Sequence, residues 1–160
     1  MHLLFGRANP ERTSFSPGKG QFLDPRTEVI PLAGGHAAKS YYEVSDLWAR
    51  ERLGTRRALL RIIDGVSDVR SVADMPAGFQ CELGFWLRFV QVEADVEDTL
   101  DYLRIWHAQW HEATDRIIRS IQSNDFDHAR RSLTERAGPW HYAGWQVDRH
   151  LAAVWAHRNA

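Results

Sequence analysis

The sequence predicts an all-α protein, an antiparallel four-helix bundle preceded by a largely irregular N-terminal arm. Two observations predict it. After Ser40, apolar residues recur at helical spacing through most of the chain. The segments that separate these stretches are short, which favours antiparallel packing of neighbouring helices. With 160 residues, the chain is long enough for one domain with a core of its own.

Residues 1–38 differ from the rest of the chain in composition. They hold four of the six prolines and five of the eleven glycines, with no sustained periodicity. Only "TEVIPL" is expected to be extended, and Pro31 would confine such a strand to a sheet edge. We therefore divide the chain into an irregular arm, residues 1–38, and a helical domain, residues 39–160.

The helices are predicted from apolar spacing and from residues that begin or end helices. The first long helix covers residues 41–64 and ends near Gly65, and a shorter one begins near Cys81. Asp125 is expected to cap a fourth helix, and a final helix runs from about residue 140 to residue 157. The third helix has the strongest pattern, with steps of four and three through Val96, Leu100, Leu103, His107, Trp110, Thr114, Ile117 and Ile121.

Two histidines of the third helix suggest a metal site. His107 and His111 are four residues apart, so on a helix their rings share one face and can reach one ion. Metalloproteases use this spacing in H-E-x-x-H, but Ala108 stands where the general base would be, which disfavours a protease. The only cysteine, Cys81, would add a soft thiolate, and a Cys-His-His set favours zinc over magnesium or calcium.

The same residues also fit an ordinary core. A histidine pair at this spacing often occurs by chance, and a lone buried cysteine behaves as a small apolar residue. The seven tryptophans are interpreted as core filling, with a haem or aromatic-ligand pocket as the alternative. The last helix carries further histidines, expected at solvated or interface positions and otherwise remote candidates for a metal ligand: His141, His150 and His157.

The motif "CELGFWL" followed by "HAQWH" is similar to that of the chemoreceptor zinc-binding (CZB) family, in which a Cys precedes Leu-Gly and Trp and a His-x-x-x-His helix follows. The spacing of 26 residues between Cys81 and His107 also resembles the family, and the likeness covers about residues 45–135. It implies a regulatory zinc held by three His and one Cys in a helical bundle. Such bundles are attached to bacterial chemoreceptors and diguanylate cyclases.

By this resemblance Cys81, His107 and His111 map onto three of the four zinc ligands. The family has its remaining His in the first helix, about 30 residues before the Cys, whereas "ERLGTRRALL" puts Glu51 or Arg52 there. Three outcomes follow. In the first, Glu51 binds the ion through a carboxylate oxygen. In the second, water or a remote His completes the site. In the third, zinc binding is lost while the fold remains. An Arg facing the site would repel a cation by about 4 kcal/mol at 4 Å and an effective dielectric of 20.

Composition limits the classes of function. A net charge of −1, with both signs mixed along the chain, gives no overall preference for nucleic acid. No apolar stretch is long enough to span a membrane. One cysteine and the lack of a signal-peptide pattern indicate the cytoplasm. We expect a non-catalytic zinc-binding regulatory or sensory module that signals through a protein partner. The alternatives are a metalloenzyme with an open Cys/His site and a bundle that binds haem or another small ligand.

The aromatic content of the arm predicts self-association. Phe5, Phe15 and Phe22 lie in the arm, where no periodic structure would shelter their rings. An arm laid across a second subunit would bury them. We therefore expect a homodimer whose interface involves the arm or the first helix.

Overall fold

The structure, a computed structural model, describes residues 29–30, 39–75 and 80–157 and is mainly helical, which confirms the all-α class. The α-helices of the described residues are α1 Tyr41–Ile63, α2 Glu82–Phe89, α3 Ala94–Gln122, α4 Phe126–Thr134 and α5 Pro139–His157. A 3₁₀ helix, Val69–Asp74, lies between α1 and α2. The antiparallel four-helix arrangement stays a prediction.

A small antiparallel ladder precedes α1. Strand β1, Val29–Ile30, pairs with β2, Lys39–Ser40, with Val29 opposite Ser40. β1 lies in the stretch that the sequence predicts to be extended. The rest of the predicted arm, and with it the three arm phenylalanines, lies outside the described residues.

Helix α1 has well-defined ends close to the predicted ones. At its start Ser40 and Glu43 form a capping box, in which the Glu43 carboxylate accepts from the Ser40 backbone N–H at 2.7 Å and the Ser40 hydroxyl accepts from the Glu43 N–H at 3.4 Å. At its end Gly65 adopts a left-handed φ of 71°, which glycine tolerates without strain. The helix therefore ends one residue before the predicted boundary.

The later helix boundaries also follow local chemistry. Asp125 caps α4 as predicted, because its carboxylate accepts from the His128 N–H at 3.0 Å. α5 begins at Pro139, one residue before the predicted start, since proline needs no N–H partner in the first turn of a helix. None of the described helices combines the length and apolar composition that crossing a bilayer requires.

Helix α3 is central to the packing. It contacts α5, α4 and α2, while α1 packs against α2, α4 and α5. Its polar core residue Thr114 is satisfied, because it accepts from the Trp140 indole N–H at 3.0 Å and donates to the Trp110 carbonyl. This packing places the middle of α3, with His107 fully buried, among the side chains of α1 and the start of α2.

Candidate metal centre

Four potential metal ligands converge in the interior from three separate segments. Glu51 comes from α1, Cys81 from the residue that precedes α2, and His107 and His111 from α3. One ligand atom from each lies within 4.8 Å of all the others. The structure thus brings Cys81, His107 and His111 together with Glu51, one of the two alternatives that the sequence leaves open for the fourth position. This arrangement is compatible with metal binding.

The two histidines owe their position to the period of α3. Four residues make about one helical turn, so the rings lie one above the other, with centroids 4.7 Å apart and planes inclined by 76°. Their Nε2 atoms approach the same Glu51 oxygen, at 3.6 Å for His107 and 2.9 Å for His111. Both rings therefore direct a nitrogen toward the donors from the other segments.

Cys81 is held in place by the start of α2. It is the N-cap residue, and its Sγ accepts a hydrogen bond from the backbone N–H of Gly84 at 3.1 Å. The same sulfur lies 3.3 Å from Nε2 of His107 and is buried. The start of a helix favours negative charge, so this position also stabilises a thiolate once a proton has left.

Glu51, and not Arg52, faces the cluster. Its side chain is 11% exposed, and neither of its buried oxygens has a hydrogen bond of good geometry within the described structure, although both histidines are close. Arg52 turns toward α5, where its guanidinium forms an ion pair with Asp148 at 2.6 Å. The cation that would repel a metal is therefore outside the cluster.

Two of the donor separations agree with those expected around a tetrahedral zinc ion. Donors about 2.0–2.3 Å from such an ion lie about 3.3–3.8 Å from one another. The Cys81–His107 and His107–Glu51 separations, 3.3 and 3.6 Å, are within this range. The 2.9 Å between His111 and Glu51 is shorter than this range, and the four donor atoms spread over up to 4.8 Å, so side chains would have to shift to hold such an ion.

Burial and the mutual contacts of the four groups decide their charges. Burial would raise the pKa of Glu51, but the surrounding His107, His111 and Cys81 outweigh it and lower this pKa to about 2. Burial raises the pKa of the Cys81 thiol well above its usual range, and the Glu51 carboxylate raises it further. Burial lowers the pKa of His107 despite the nearby carboxylate. Without a metal, the cluster thus holds a carboxylate, a thiol and a neutral His107.

Aromatic rings separate the cluster from water. Trp48 lies edge-on to His107 with ring centroids 6.1 Å apart, and Trp110 lies 4.9 Å from both Trp48 and His111. All of these rings are buried. The interpretation of tryptophans as core filling is right for Trp48 and Trp110, which here also form the wall of the polar cluster.

The histidines of α5 do not join the cluster. His141 Nε2 lies 3.1 Å from the Leu133 carbonyl, and His150 Nδ1 lies 2.8 Å from the Gln146 carbonyl. The side chain of His157 is outside the described residues. Within the described structure, the fourth member of the cluster is therefore Glu51 and not a remote histidine.

One neighbouring interaction has no sequence signal. Asp148 accepts from the Trp48 indole N–H at 2.7 Å and, through its other oxygen, from Arg52. Trp48 and Asp148 are 100 positions apart in sequence. No local pattern predicts this contact, which fixes the rotation of α1 against α5.

Comparison of the chain with protein-family models, curated proteins and solved structures finds no match. The likeness to the chemoreceptor zinc-binding family therefore rests on its motif residues. The geometry of the four donors stands independently of that likeness.

Proposed function

We propose that the protein is a zinc-binding regulatory module of bacterial signalling, of chemoreceptor or cyclic-di-GMP type, without catalysis of its own. The observation that carries this proposal is the convergence of Glu51, Cys81, His107 and His111 in the interior. Four polar groups from three segments would be a costly way to fill a core. One cation bound among them would satisfy all four.

The donor set and its charge favour zinc. One thiolate and two imidazoles are the ligands that zinc prefers, whereas magnesium and calcium prefer oxygen. With Glu51 as a carboxylate and Cys81 as a thiolate, the two negative charges balance the charge of a divalent ion. A buried site with no net charge avoids the large cost of an uncompensated charge in the interior.

A closed site supports a regulatory role. Four protein donors complete a tetrahedron, and structural zinc sites have this closed form, whereas catalytic ones keep a position for water or substrate. The wall of Trp48 and Trp110 keeps the cluster dry. This supports regulation over the alternative of an open metalloenzyme site.

Regulation would act through the helices that the ion connects. The ligands belong to α1, the start of α2 and α3, so zinc stabilises the arrangement in which these segments are close. The resemblance to the chemoreceptor zinc-binding family implies an antiparallel four-helix bundle. A zinc-dependent change in helix arrangement would then pass to a signalling protein or to the second subunit of a homodimer. Light scattering of the full chain tests the dimer, and a mass of one chain, 18.4 kDa, would contradict it.

Elemental analysis of the purified full-length protein tests the metal. We expect about one zinc per chain, lost in the His107→Ala/His111→Ala double variant. The matched control is His128→Ala/His150→Ala, which removes two histidines outside the cluster and is expected to keep the metal. Protein free of metal after growth with ample zinc, or an absorption spectrum with a haem Soret band, would contradict the proposal.

A further inference from the structure

An open cleft lies beside the four-residue cluster of the candidate metal centre, on another side of α1. It has a volume of about 430 Å³, within the range of small-molecule sites. Helix α1, the turn before α5 and α5 itself form its walls. The lining residues include Arg52, Arg56, Arg136, Trp140, Trp145 and Asp148.

The cleft has excess positive charge. Of its three arginines, Arg52 is neutralised by Asp148. Arg56 and Arg136 have no ion-pair partner within the described part of the chain. Two guanidinium groups that are not neutralised therefore line one concave surface, and their donor geometry suits phosphate oxygens.

The cleft also has an aromatic wall. Trp145 lines it while 53% of its surface remains exposed, although most large apolar side chains of the helices are buried. The buried Trp140 lies at the same wall. The Trp145 ring already has the Arg149 guanidinium 5.8 Å and the Tyr142 ring 6.1 Å from its centroid. The part of the indole that stays exposed offers a surface on which a planar ring can pack.

We propose that this cleft binds a small molecule in which an aromatic ring is joined to a phosphate monoester, of the size of a nucleoside monophosphate. Its phosphate pairs with Arg56 and Arg136, and its ring packs on Trp145. A phosphate monoester carries nearly two negative charges at neutral pH, which matches the two guanidinium groups. This binding is an addition to the proposed metal function and does not depend on it.

The neighbouring surface of α1 does not combine arginines with an aromatic wall. A second cleft of about 310 Å³ is lined by Arg56, Arg57 and Arg61, but its other walls are aliphatic or acidic. Arg61 there donates to Ser67, and Asp64 is paired with Arg130. Positive charge and aromatic surface occur together in the cleft that contains Trp145.

Calorimetric titration of the full chain with adenosine 5′-monophosphate tests the proposal, with adenosine and inorganic phosphate as separate probes. We expect one nucleotide per chain, and weaker binding by at least about tenfold for Arg56→Gln/Arg136→Gln. The matched control, Arg57→Gln/Arg131→Gln, removes the same charge from exposed positions outside the cleft and should bind as the wild type does. Trp145→Ala should weaken the nucleotide but not inorganic phosphate.

Three results would overturn the proposal. They are the absence of nucleotide binding at about 1 mM, an equal loss of binding in the control variant, and inorganic phosphate that binds as tightly as the nucleotide. Melting curves of the variants show that each one is folded. Titrations with and without a zinc chelator separate this proposal from the metal site, because the cleft is expected to bind in both conditions.

Discussion

Glu51 and Arg52 are neighbours in α1 but belong to two very different polar regions. Glu51 lies in a closed cluster with four donors and is 11% exposed, whereas Arg52 lines an open cleft and its side chain is 34% exposed. In the cluster each charge must be satisfied by a protein group or an ion, because water is excluded. In the cleft, water screens the charges and replaces missing partners. Burial, more than residue type, therefore decides how much a charged side chain contributes to the stability of the fold.

The largest expected effect is that of removing zinc. If free zinc exceeds its dissociation constant about 1,000-fold, binding adds about 4 kcal/mol to the free energy of unfolding. We expect denaturant unfolding with and without a strong chelator to differ by about this amount. The His107→Ala/His111→Ala variant is the control, since chelator should not alter its curve. Superimposable curves for the wild type would show that the fold does not depend on the metal.

Exchange of Glu51, the proposed fourth ligand, should lower the affinity for zinc strongly. Glu51→Gln keeps the shape but removes the charge that balances the ion, so we expect affinity to fall at least about 100-fold. Glu51→His supplies the nitrogen donor that the resembled family uses and should retain most of the affinity. Competition with a chromophoric chelator measures both. Equal affinities of Glu51→Gln and the wild type would remove Glu51 from the site.

Zinc affinity should rise with pH because of Cys81. Burial and Glu51 raise the pKa of its thiol, so at neutral pH the proton is bound and zinc must displace it. Affinity should therefore increase by about tenfold per pH unit below that pKa. Glu51, with its pKa lowered to about 2, contributes no proton. Chelator competition at pH 7 and pH 8 tests this, and equal affinities would indicate that the thiol is not a ligand.

The sequence predicts the helices and three of the four donors for identifiable reasons. Helix ends depend on local chemistry, such as the Asp125 carboxylate at the start of α4, and the α3 histidines share a face because of helical period. Cys81 follows from thiolate chemistry together with the resemblance. The helix ends and the histidine pair are readable because each depends on residues close together in the chain, whereas Cys81 lies 26 positions before His107 and its inclusion depends on the resemblance.

The choice between Glu51 and Arg52 is not readable in this way. One residue along a helix is a rotation of about 100°, and which side faces inward is set by packing. Here Asp148 fixes it by binding Trp48 and Arg52, which are 100 and 96 positions away. The cleft likewise lies between α1 and α5. No short sequence pattern therefore predicts that Glu51 faces the cluster, or that the arginines of the proposed phosphate site lie together.

The smallest expected effect comes from Arg52 itself. Its ion pair with Asp148 is short but partly exposed, and such pairs contribute about 0–1 kcal/mol. We expect Arg52→Gln to lower the free energy of unfolding by less than about 1 kcal/mol and to leave zinc content unchanged. Asp148→Ala should cost more, because the indole N–H of the buried Trp48 then loses its acceptor, a change worth about 1–3 kcal/mol. Denaturant unfolding and elemental analysis of both variants measure the difference. Loss of zinc in Arg52→Gln would mean that the two regions are not separate, and that Arg52 holds Glu51 in place.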